Sequence, residues 1–563
     1  MATKLTEQKL PESQPKKVSG SELLARALIQ QGVTTGFYLA GGPMGDAEDA
    51  CIAAGIRMID VRHEQAAAMA AQAYARVLGK PGVCMACSGP GTVNLTTGLV
   101  NALVDCVPVV AFGGASSIAQ LDKGEFQELD QVAILRPVTK WARRVHEVRR
   151  IPEYVDLAFR EAMSGKPGPV YLDLPREVLF DKIDEADIRW PLDPKDRDIF
   201  RPSATPEALD RVIALLRDAK RPVIVCGSGI LWSHAAAELQ QFVDLTGIPF
   251  YTTPQGRGVI PEDHAYNFGR TRSTAMKEAD LVLVIGTRLN YVIAHAKPPR
   301  FSPTATVVRI DIDPGEINGS QYASVGIVGD AKTVLTQLCA AVRGKIAIEL
   351  FASWRDRLGK LDRERMPSTE AKISTDQMPI HPMRLCKEIR DFIDRDAILV
   401  VDGREILTYG RQNIPSFVPG HRLNSGPLGT MGVGMPFGVG AKAAKPDKQV
   451  IVLHGDGSFG MNGMELDTAV RHNLPILVVI SLNGGWAAAS KESKAGRDLG
   501  YTRFDKIAEV LGCHGEFVER PEEIRPALER AAQALKKGQS ALVNVVTDSL
   551  ARADEVNRHA FDI

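Results

Sequence analysis

The sequence lacks the features of a membrane protein, an exported protein or a nucleic-acid-binding protein. Its longest apolar runs, such as Leu281–Ile285 and residues 476–482, are too short to span a bilayer. Residues 1–17 are polar and contain lysines but no apolar signal core, so we expect a disordered lead-in to a cytoplasmic protein. Lys plus Arg and Asp plus Glu both total 68, and this balance gives no net field that would favour nucleic acid or a membrane surface as partner.

Cysteine motifs and dinucleotide-binding motifs are also scarce. The eight cysteines are scattered, and Cys84 and Cys87 form a CxxC with no second pair nearby. We therefore expect buried free thiols in preference to a zinc or redox site. No GxGxxG is present, which weakens any prediction of a dinucleotide-binding domain.

The sequence does contain a repeated alternation of predicted strands and helices. Its 563 residues exceed the size of a single hydrophobic core. The alternation predicts an α/β protein built from three doubly wound parallel-sheet domains. The predicted domains and the remaining tail, which is either solvent-exposed or a closing lid, span residues 18–185, 203–345, 380–548 and 549–563.

The predicted middle domain has polar residues after two of its strands. Gly286 to Asn290 follow one strand, and Asp311 and Asp313 end the next. The carboxyl ends of parallel strands are where such sheets receive nucleotides. A nucleotide-binding-type domain and a purely structural α/β domain both fit this pattern.

The most informative stretch runs from Gly455 to Gly485. An apolar strand stops at His454 and is followed by a Gly-rich turn, whose backbone N–H groups can face an anion. Asp456 supplies a carboxylate oxygen, and Asn483 supplies an amide oxygen at the end of the next strand. Both oxygens suit Mg²⁺, with diphosphate oxygens and water completing the octahedron. Taken alone, the turn is equally consistent with an ordinary Gly-rich connection between strand and helix.

Glu64 occupies a second position of interest, where a predicted strand of the first domain gives way to a helix. Such switches are where α/β sheets place ligand-binding groups. The alternative is an acidic residue at a helix start that interacts with the helix dipole.

The motif GDGSF…NGG resembles the diphosphate–Mg²⁺ motif of thiamine-diphosphate-dependent enzymes. The resemblance extends over about residues 18–548 and follows the three-domain order of the acetolactate synthase and pyruvate oxidase group. It implies an aminopyrimidine-binding first domain, a nucleotide-type middle domain and a diphosphate-binding third domain. It also implies a homodimer or homotetramer, because in this group the active site forms between the first domain of one subunit and the third domain of another.

The resemblance assigns roles to residues that match the motifs of the group. Glu64 matches the glutamate that hydrogen-bonds the pyrimidine ring and thereby promotes activation of the cofactor. The other cofactor-binding positions that it implies are Pro90, Asn94, Gly403, Arg404, Glu405, Gly429, Met431, Gly457 and Ser458. The implied metal ligands are Asp456, Asn483 and Gly485.

Within the group, the chain is most similar to the acyl-CoA enzymes, oxalyl-CoA decarboxylase and 2-hydroxyacyl-CoA lyase. The stretches 126–128, 256–261 and 286–290 carry this similarity, as do the motifs NSGPLGTMGVGM and HGDGSFGMNGMELDTAVRHNLP. Gln127 stands where the decarboxylase has a carboxylate. Residues 486–492 depart from the decarboxylase, which has a tyrosine-bearing segment over the substrate there.

Glu492 is the candidate for a catalytic base that the lyase reaction requires. A carbonyl product forms only as the 2-hydroxyl group loses its proton, so a nearby base is needed. The alternative is a solvated loop glutamate beside Lys491 and Lys494.

Coenzyme A requires cations for its phosphates, preferably guanidinium groups. The candidates are Arg288, Arg404 and Arg411, each of which is otherwise a surface or cofactor-side arginine. Asp311 and Asp313 are candidates to contact the ribose of an ADP-like group in the middle domain.

The sequence therefore predicts a thiamine-diphosphate- and Mg²⁺-dependent 2-hydroxyacyl-CoA lyase. Such an enzyme cleaves the C1–C2 bond of a substrate such as 2-hydroxyisobutyryl-CoA to formyl-CoA plus a ketone or an aldehyde. The alternatives are an oxalyl-CoA decarboxylase, an acetolactate-synthase-like carboligase with FAD in the middle domain, and a catalytically silent protein of the same fold. ADP is a further candidate ligand of the middle domain.

Overall fold

Three parallel sheets follow one another along the chain, in a computed structural model that describes residues 17–197, 200–319, 323–489 and 495–553. Each sheet has helices on both faces, which covers strands that are apolar on both sides. The predicted α/β class with three doubly wound sheets is confirmed. The exact domain boundaries stay a prediction.

The first sheet has six parallel strands. In spatial order they are Arg57–Asp60, Thr35–Leu39, Gly82–Ala86, Val109–Ala115, Val170–Pro175 and Trp141–Arg144. A short antiparallel pair, Lys17–Ser19 with Lys182–Asp184, joins the two ends of this segment. The α-helices are Gly20–Gln30, Gly45–Ala53, Glu64–Leu78, Pro90–Asn94, Thr96–Val104, Gln131–Leu135, Ile151–Met163 and Arg176–Phe180.

A capping box begins the first of these helices. The Ser19 hydroxyl accepts the Glu22 N–H at 3.2 Å, and the Glu22 carboxylate accepts the Ser19 N–H at 2.7 Å. Two N–H groups that the helix leaves unpaired are thereby satisfied. Ser19 is thus the N-cap of this helix.

The second sheet has five parallel strands, in the order Phe250–Thr252, Pro222–Cys226, Leu281–Ile285, Thr306–Asp311 and Val325–Val328. Its helices are Pro206–Asp218, Gly229–Trp232, Ala236–Thr246, Arg272–Glu278, Pro314–Ile317 and Ala331–Val342. The helix Ala352–Ile373 connects this segment to the third.

The third sheet has six parallel strands, in the order Arg422–Leu423, Ile398–Asp402, Val450–Gly455, Leu477–Leu482, Ala541–Val546 and His514–Val518. Its helices are Pro382–Arg390, Glu405–Asn413, Gly434–Ala444, Asp456–Asn462, Glu465–Arg471, Phe504–Val510 and Ile524–Lys536. Two of the predicted metal ligands lie where these strands end: Asp456 follows Val450–Gly455, and Asn483 follows Leu477–Leu482.

The first and third segments share one hydrophobic core, which joins the helix Glu64–Leu78 to the helix Gly434–Ala444. Small side chains allow this close packing. A Cβ added at Gly440 would lie only 2.1 Å from the carbonyl oxygen of Ala70. The contact fixes the direction of the helix that begins with Glu64.

None of the helices in the described part of the chain combines the length and the apolar character that a membrane crossing needs. The cytoplasmic location stays a prediction.

Candidate active site

A small cavity lies at the carboxyl ends of the third sheet, where three strand-to-helix turns meet. The predicted cofactor residues in its lining are Gly403, Arg404, Glu405, Met431, Asp456, Gly457, Ser458, Asn483 and Gly485. The turns follow neighbouring parallel strands, so sheet topology brings together residues far apart in sequence.

Three oxygen atoms converge at one end of this cavity. The amide oxygen of Asn483 lies 2.9 Å from the carbonyl oxygen of Gly485 and 3.1 Å from Oδ1 of Asp456. Without a cation the opposite orientation of the amide would exchange these contacts for hydrogen bonds. Adjacent ligands of an octahedral Mg²⁺, at about 2.1 Å from the ion, are about 3 Å apart. The three oxygens therefore suit a small, hard divalent cation.

Asp456 is held rigidly in this position. Its Oδ2 accepts the N–H groups of Gly484 at 2.8 Å and Gly485 at 3.1 Å, and its Oδ1 accepts its neighbour's N–H. Burial raises the pKa of Asp456 to about 6, while these N–H donors act in the opposite direction. A bound cation would favour the charged form further.

The turn after the strand Ile398–Asp402 forms another wall of the cavity. Gly403 has a φ of 130°, a conformation that residues with a Cβ rarely adopt, and a Cβ there would lie 3.1 Å from the N atom of Gly455. Arg404 precedes the helix Glu405–Asn413 and lines the cavity. The Glu405 carboxylate accepts the N–H of Ala553 at 3.0 Å.

Ser458 lines the cavity through its backbone because its hydroxyl is engaged inside the protein. Its Oγ lies 3.1 Å from Nδ1 of His454 and donates toward the carbonyl oxygens of Gly455 and Asp402. A phosphate would therefore meet backbone N–H groups of this turn.

The segment that carries Gly429 and Met431 is fixed by a buried carboxylate. Asp402, at the end of its strand, accepts the N–H of Gly434 at 2.9 Å, and burial raises its pKa to about 7. Gly429 has a φ of 76°, which suits a tight turn before Met431 enters the cavity. Asp402 is a site residue that the sequence analysis missed.

The first residues of the predicted tail lie over this cavity. The Ala489 N–H donates to the Ser549 carbonyl oxygen at 2.6 Å, and Arg552 donates to the Ala489 carbonyl oxygen at 3.1 Å. Ala551 lines the cavity. Residues 554–563 and Glu492 lie outside the described residues.

Glu64 lies in the first segment, beside the turn that contains Pro90 and Asn94. It is the first residue of its helix and is only 7% exposed. Asn94 donates to its Oε2 at 2.9 Å. Its Oε1 would lie 3.0 Å from a Cβ at Gly91, the residue after Pro90. The structure therefore brings together Glu64, Pro90 and Asn94.

Gln127 belongs to the same group. Its Oε1 accepts the hydroxyl of Ser88 at 2.6 Å, and Ser88 also bonds the carbonyl oxygen of Gly42. Gln127 has a φ of 59°, so the loop places its side chain at a sharp bend, next to the exposed Phe126.

The group of residues formed by Glu64, Pro90, Asn94 and Gln127 is absent from the described lining of the diphosphate cavity. Every described residue in the lining of the cavity belongs to the third segment or the chain that follows it.

A second, much larger cavity of about 1010 Å³ lies between the first and middle segments. Arg288, Arg411 and Asp311, three of the predicted nucleotide-binding residues, line it. This volume accommodates a ligand of nucleotide size. The segment Gly426–Pro427 also lines it, four residues before Met431 reaches the diphosphate cavity.

The polar residues of this cavity differ in their bonding. Burial lowers the pKa of Arg411 to about 10, and its Nε has no hydrogen-bond partner among the described residues. Arg288 donates to the carbonyl oxygen of Val104. Burial raises the pKa of Asp311 to about 6, and its carboxylate accepts the N–H of Asp313 at 3.0 Å.

Two predicted nucleotide ligands are absent from the described lining of this cavity. Arg404 lines the diphosphate cavity instead. Asp313 caps the helix Pro314–Ile317 and forms a 2.7 Å ion pair with Lys166. Lys166 lines the large cavity, as do Asp105 and Gln255. No local sequence pattern marks these three residues, because their neighbours in the cavity are distant in sequence.

Sequence models of thiamine pyrophosphate enzymes match all three segments. The N-terminal binding domain matches residues 18–134, the central domain residues 209–338, and the C-terminal binding domain residues 407–545. The chain belongs to the thiamine pyrophosphate enzyme family. It is thus a thiamine-diphosphate-dependent enzyme, as the motifs predict.

Curated relatives extend over almost the whole chain. The protein is 34% identical to a 2-hydroxyacyl-CoA lyase of Arabidopsis thaliana, over 96% of this chain and 98% of the relative. It is 35% identical to acetolactate synthase large subunit IlvG of Mycobacterium tuberculosis, over 93% and 95%. It is 32% identical to an oxalyl-CoA decarboxylase of Escherichia coli, over 94% and 95%. These relatives fix the family but leave the substrate open.

Proposed function

We propose that the protein is a Mg²⁺- and thiamine-diphosphate-dependent 2-hydroxyacyl-CoA lyase. It would cleave the C1–C2 bond of a 2-hydroxyacyl-CoA, such as 2-hydroxyisobutyryl-CoA, to formyl-CoA and a ketone or an aldehyde. The observation that carries this proposal is the cationic cavity that the segment 426–431 joins to the diphosphate cavity. Relatives named 2-hydroxyacyl-CoA lyase, from Arabidopsis thaliana and Oryza sativa, support it.

The donor set at the third sheet fits the cofactor and its metal. Asp456, Asn483 and the Gly485 carbonyl would hold Mg²⁺, since their oxygens already converge. The turns at Gly403 and Gly457 would hold the diphosphate through backbone N–H groups. When bound, thiamine diphosphate supplies a nucleophilic carbon and accepts the electron pair of the C–C bond that breaks.

Glu64 would bind the pyrimidine ring by a hydrogen bond and hold it in the reactive tautomer. Its carboxylate is buried and is oriented by Asn94, which suits a proton-exchanging role at a fixed position. Because Glu64 is absent from the described lining of the diphosphate cavity, we expect a homodimer or homotetramer to complete the site.

Glu492 would remove the proton of the substrate's 2-hydroxyl group. As the C1–C2 bond breaks, C2 becomes the carbonyl carbon of the ketone or aldehyde. C1 then gains a proton and leaves as the formyl group of formyl-CoA. Gln127 would contact the substrate from the side of the Ser88 turn, where it adds no charge.

The large cavity would hold the adenine nucleotide portion of the acyl-CoA, or ADP. Arg288 and Arg411 would meet its phosphates, and Asp311 its ribose. Burial of an arginine that has an unpartnered N–H is costly, so an anionic ligand beside Arg411 would be stabilising.

The test is incubation of the protein, thiamine diphosphate and Mg²⁺ with 2-hydroxyisobutyryl-CoA, lactoyl-CoA, oxalyl-CoA and pyruvate in separate reactions. We expect formyl-CoA plus acetone or acetaldehyde from the first two substrates, and loss of both products in Glu492→Gln and Glu64→Gln. Glu509→Gln, an exposed residue paired with Lys506, is the matched control.

Two other outcomes would assign a different activity. Acetolactate from pyruvate, a yellow flavin and unchanged CoA thioesters would identify a carboligase similar to the relative from Mycobacterium tuberculosis. Formyl-CoA and CO₂ from oxalyl-CoA alone would identify a decarboxylase.

A further inference from the structure

Glu465, in the third segment, binds the backbone immediately before Glu64. Its carboxylate is 2% exposed, and its Oε1 accepts the N–H of Arg62 at 3.0 Å. Burial raises the pKa of Glu465 to about 7, while the N–H groups of Arg62 and His63 and the Thr468 hydroxyl, which donates to its Oε2 at 2.7 Å, act in the opposite direction. The two residues before Glu64 therefore depend on one buried carboxylate of another segment.

Asn462 binds the chain immediately after Glu64. Its Oδ1 accepts the side-chain N–H of Gln65 at 2.8 Å, and its Nδ2 donates to the carbonyl oxygen of Gly432 at 2.7 Å. Gly432 follows Met431, which lines the diphosphate cavity. Asn462 thus contacts both the Glu64 segment and the segment of Met431.

We propose that Glu465 and Asn462 are positioning residues that hold the Glu64 carboxylate in its working orientation. This inference rests on the proposed role of Glu64. Because Glu64 is the first residue of its helix, its direction depends on how the chain reaches the helix. The hydrogen bonds from Glu465 and Asn462 fix that path on both sides of Glu64. A displacement of about 1 Å at a catalytic group costs about a hundredfold in rate.

A role limited to packing between the two segments would have different consequences. The shared core already joins the segments through the helices Glu64–Leu78 and Gly434–Ala444. The two polar residues instead place their atoms on backbone and side-chain groups directly adjacent to Glu64. Loss of their bonds should affect the activation of the cofactor without weakening its diphosphate contacts.

The first measurement is hydrogen–deuterium exchange by mass spectrometry on the full-length protein without cofactor. We expect faster exchange in peptides that contain residues 61–65 for Glu465→Ala and Asn462→Ala, and unchanged exchange for Glu509→Gln. Two independent variants are used so that the test still holds if one of them does not fold. Unchanged exchange in both folded variants would contradict the inference.

The second set of measurements uses the protein with thiamine diphosphate and Mg²⁺ added. We expect an unchanged Kd for thiamine diphosphate with Mg²⁺, a weaker near-ultraviolet circular dichroism band of the iminopyrimidine tautomer, and a kcat lower by about tenfold to a hundredfold with KM unchanged. A tautomer band and kcat equal to those of Glu509→Gln would overturn the inference. If the unmutated protein has no tautomer band, the proposed role of Glu64 itself fails, and this inference fails with it.

Discussion

The side-chain amide of Asn483 lies 3.1 Å from Oδ1 of Asp456, where its oxygen would share a cation with the carboxylate and its NH2 group would otherwise donate to it. The two residues directly follow two adjacent parallel strands, Val450–Gly455 and Leu477–Leu482. Strand pairing therefore creates a cation site from residues that the sequence separates by a helix-rich segment. This relationship leads to the most direct prediction about the cofactor.

Asp456→Asn and Asn483→Ala should weaken Mg²⁺-supported binding of thiamine diphosphate. Each removes an oxygen ligand, and even outer-shell changes at metal sites cost about tenfold to a hundredfold in affinity. Isothermal titration of thiamine diphosphate with and without Mg²⁺ measures the effect. Asp218→Asn, at an exposed helix end, is the matched control. An Asp456→Asn variant with control-like affinity would contradict the assigned site.

Gly440→Ala should destabilise the protein through the contact between the first and third segments. The added Cβ would lie 2.1 Å from the carbonyl oxygen of Ala70, so the two helices must separate. Overpacking of this kind costs about 1–3 kcal/mol. Thermal unfolding should show a lower Tm for this variant.

The control for this prediction is Gly45→Ala, at an exposed helix position where a Cβ meets no atom within 4 Å. There the substitution reduces the freedom of the unfolded chain, so Tm should be unchanged or higher. Equal Tm values for the two variants would mean that the helices tolerate separation.

Local sequence patterns predicted the residues of the diphosphate cavity better than the residues that support them. Asp456 and Asn483 stand in a motif with characteristic neighbours, and sheet topology then determines where they meet. Asp402, Glu465 and Asn462 act through contacts with backbone or side-chain groups of distant segments, and such contacts leave no pattern around each residue. For the same reason, the sequence could not place Arg404 and Arg411 in different cavities.

The stability of the protein should fall as the pH rises from about 4.5 to about 8 because of Glu48. Its side chain is buried, its Oε1 has no partner among the described residues, and burial raises its pKa to about 8 from 4.5. A carboxyl group whose pKa is raised by folding contributes stability that is complete below about pH 4.5 and is lost as the pH rises through about 8. The unfolded protein releases this proton more readily.

Glu48→Gln should flatten this pH dependence. The amide stays neutral, so Tm should change less between pH 6 and about 9 than in the unmutated protein. Differential scanning calorimetry across this range provides the comparison, with Glu509→Gln as a matched exposed control. If the Tm of Glu48→Gln and the Tm of Glu509→Gln change equally with pH, ionisation of Glu48 does not lower the free energy of unfolding.

Arg411→Met and Arg288→Met should weaken binding at the large cavity, and Arg404→Met should not. Arg288 and Arg411 line that cavity, whereas Arg404 lines the diphosphate cavity. A charged hydrogen bond contributes about 1.5–3 kcal/mol, so each of the first two variants should raise the Kd for ADP, or the KM for the acyl-CoA, by at least about tenfold. Arg404→Met should instead raise the Kd for thiamine diphosphate.

Arg217→Met, on the exposed face of a middle-domain helix, is the control for this set. The fluorescence of a labelled ADP and the initial rates at increasing CoA thioester concentrations give the two binding parameters separately. A change in KM alone would assign the cavity to the acyl-CoA, and a change in ADP affinity alone would assign it to a separate nucleotide. If all three variants leave the Kd for ADP and the KM for the acyl-CoA unchanged, neither cavity binds the phosphates of these ligands through the substituted arginines. In that case the guanidinium groups would serve packing between the segments, and the nucleotide would bind elsewhere.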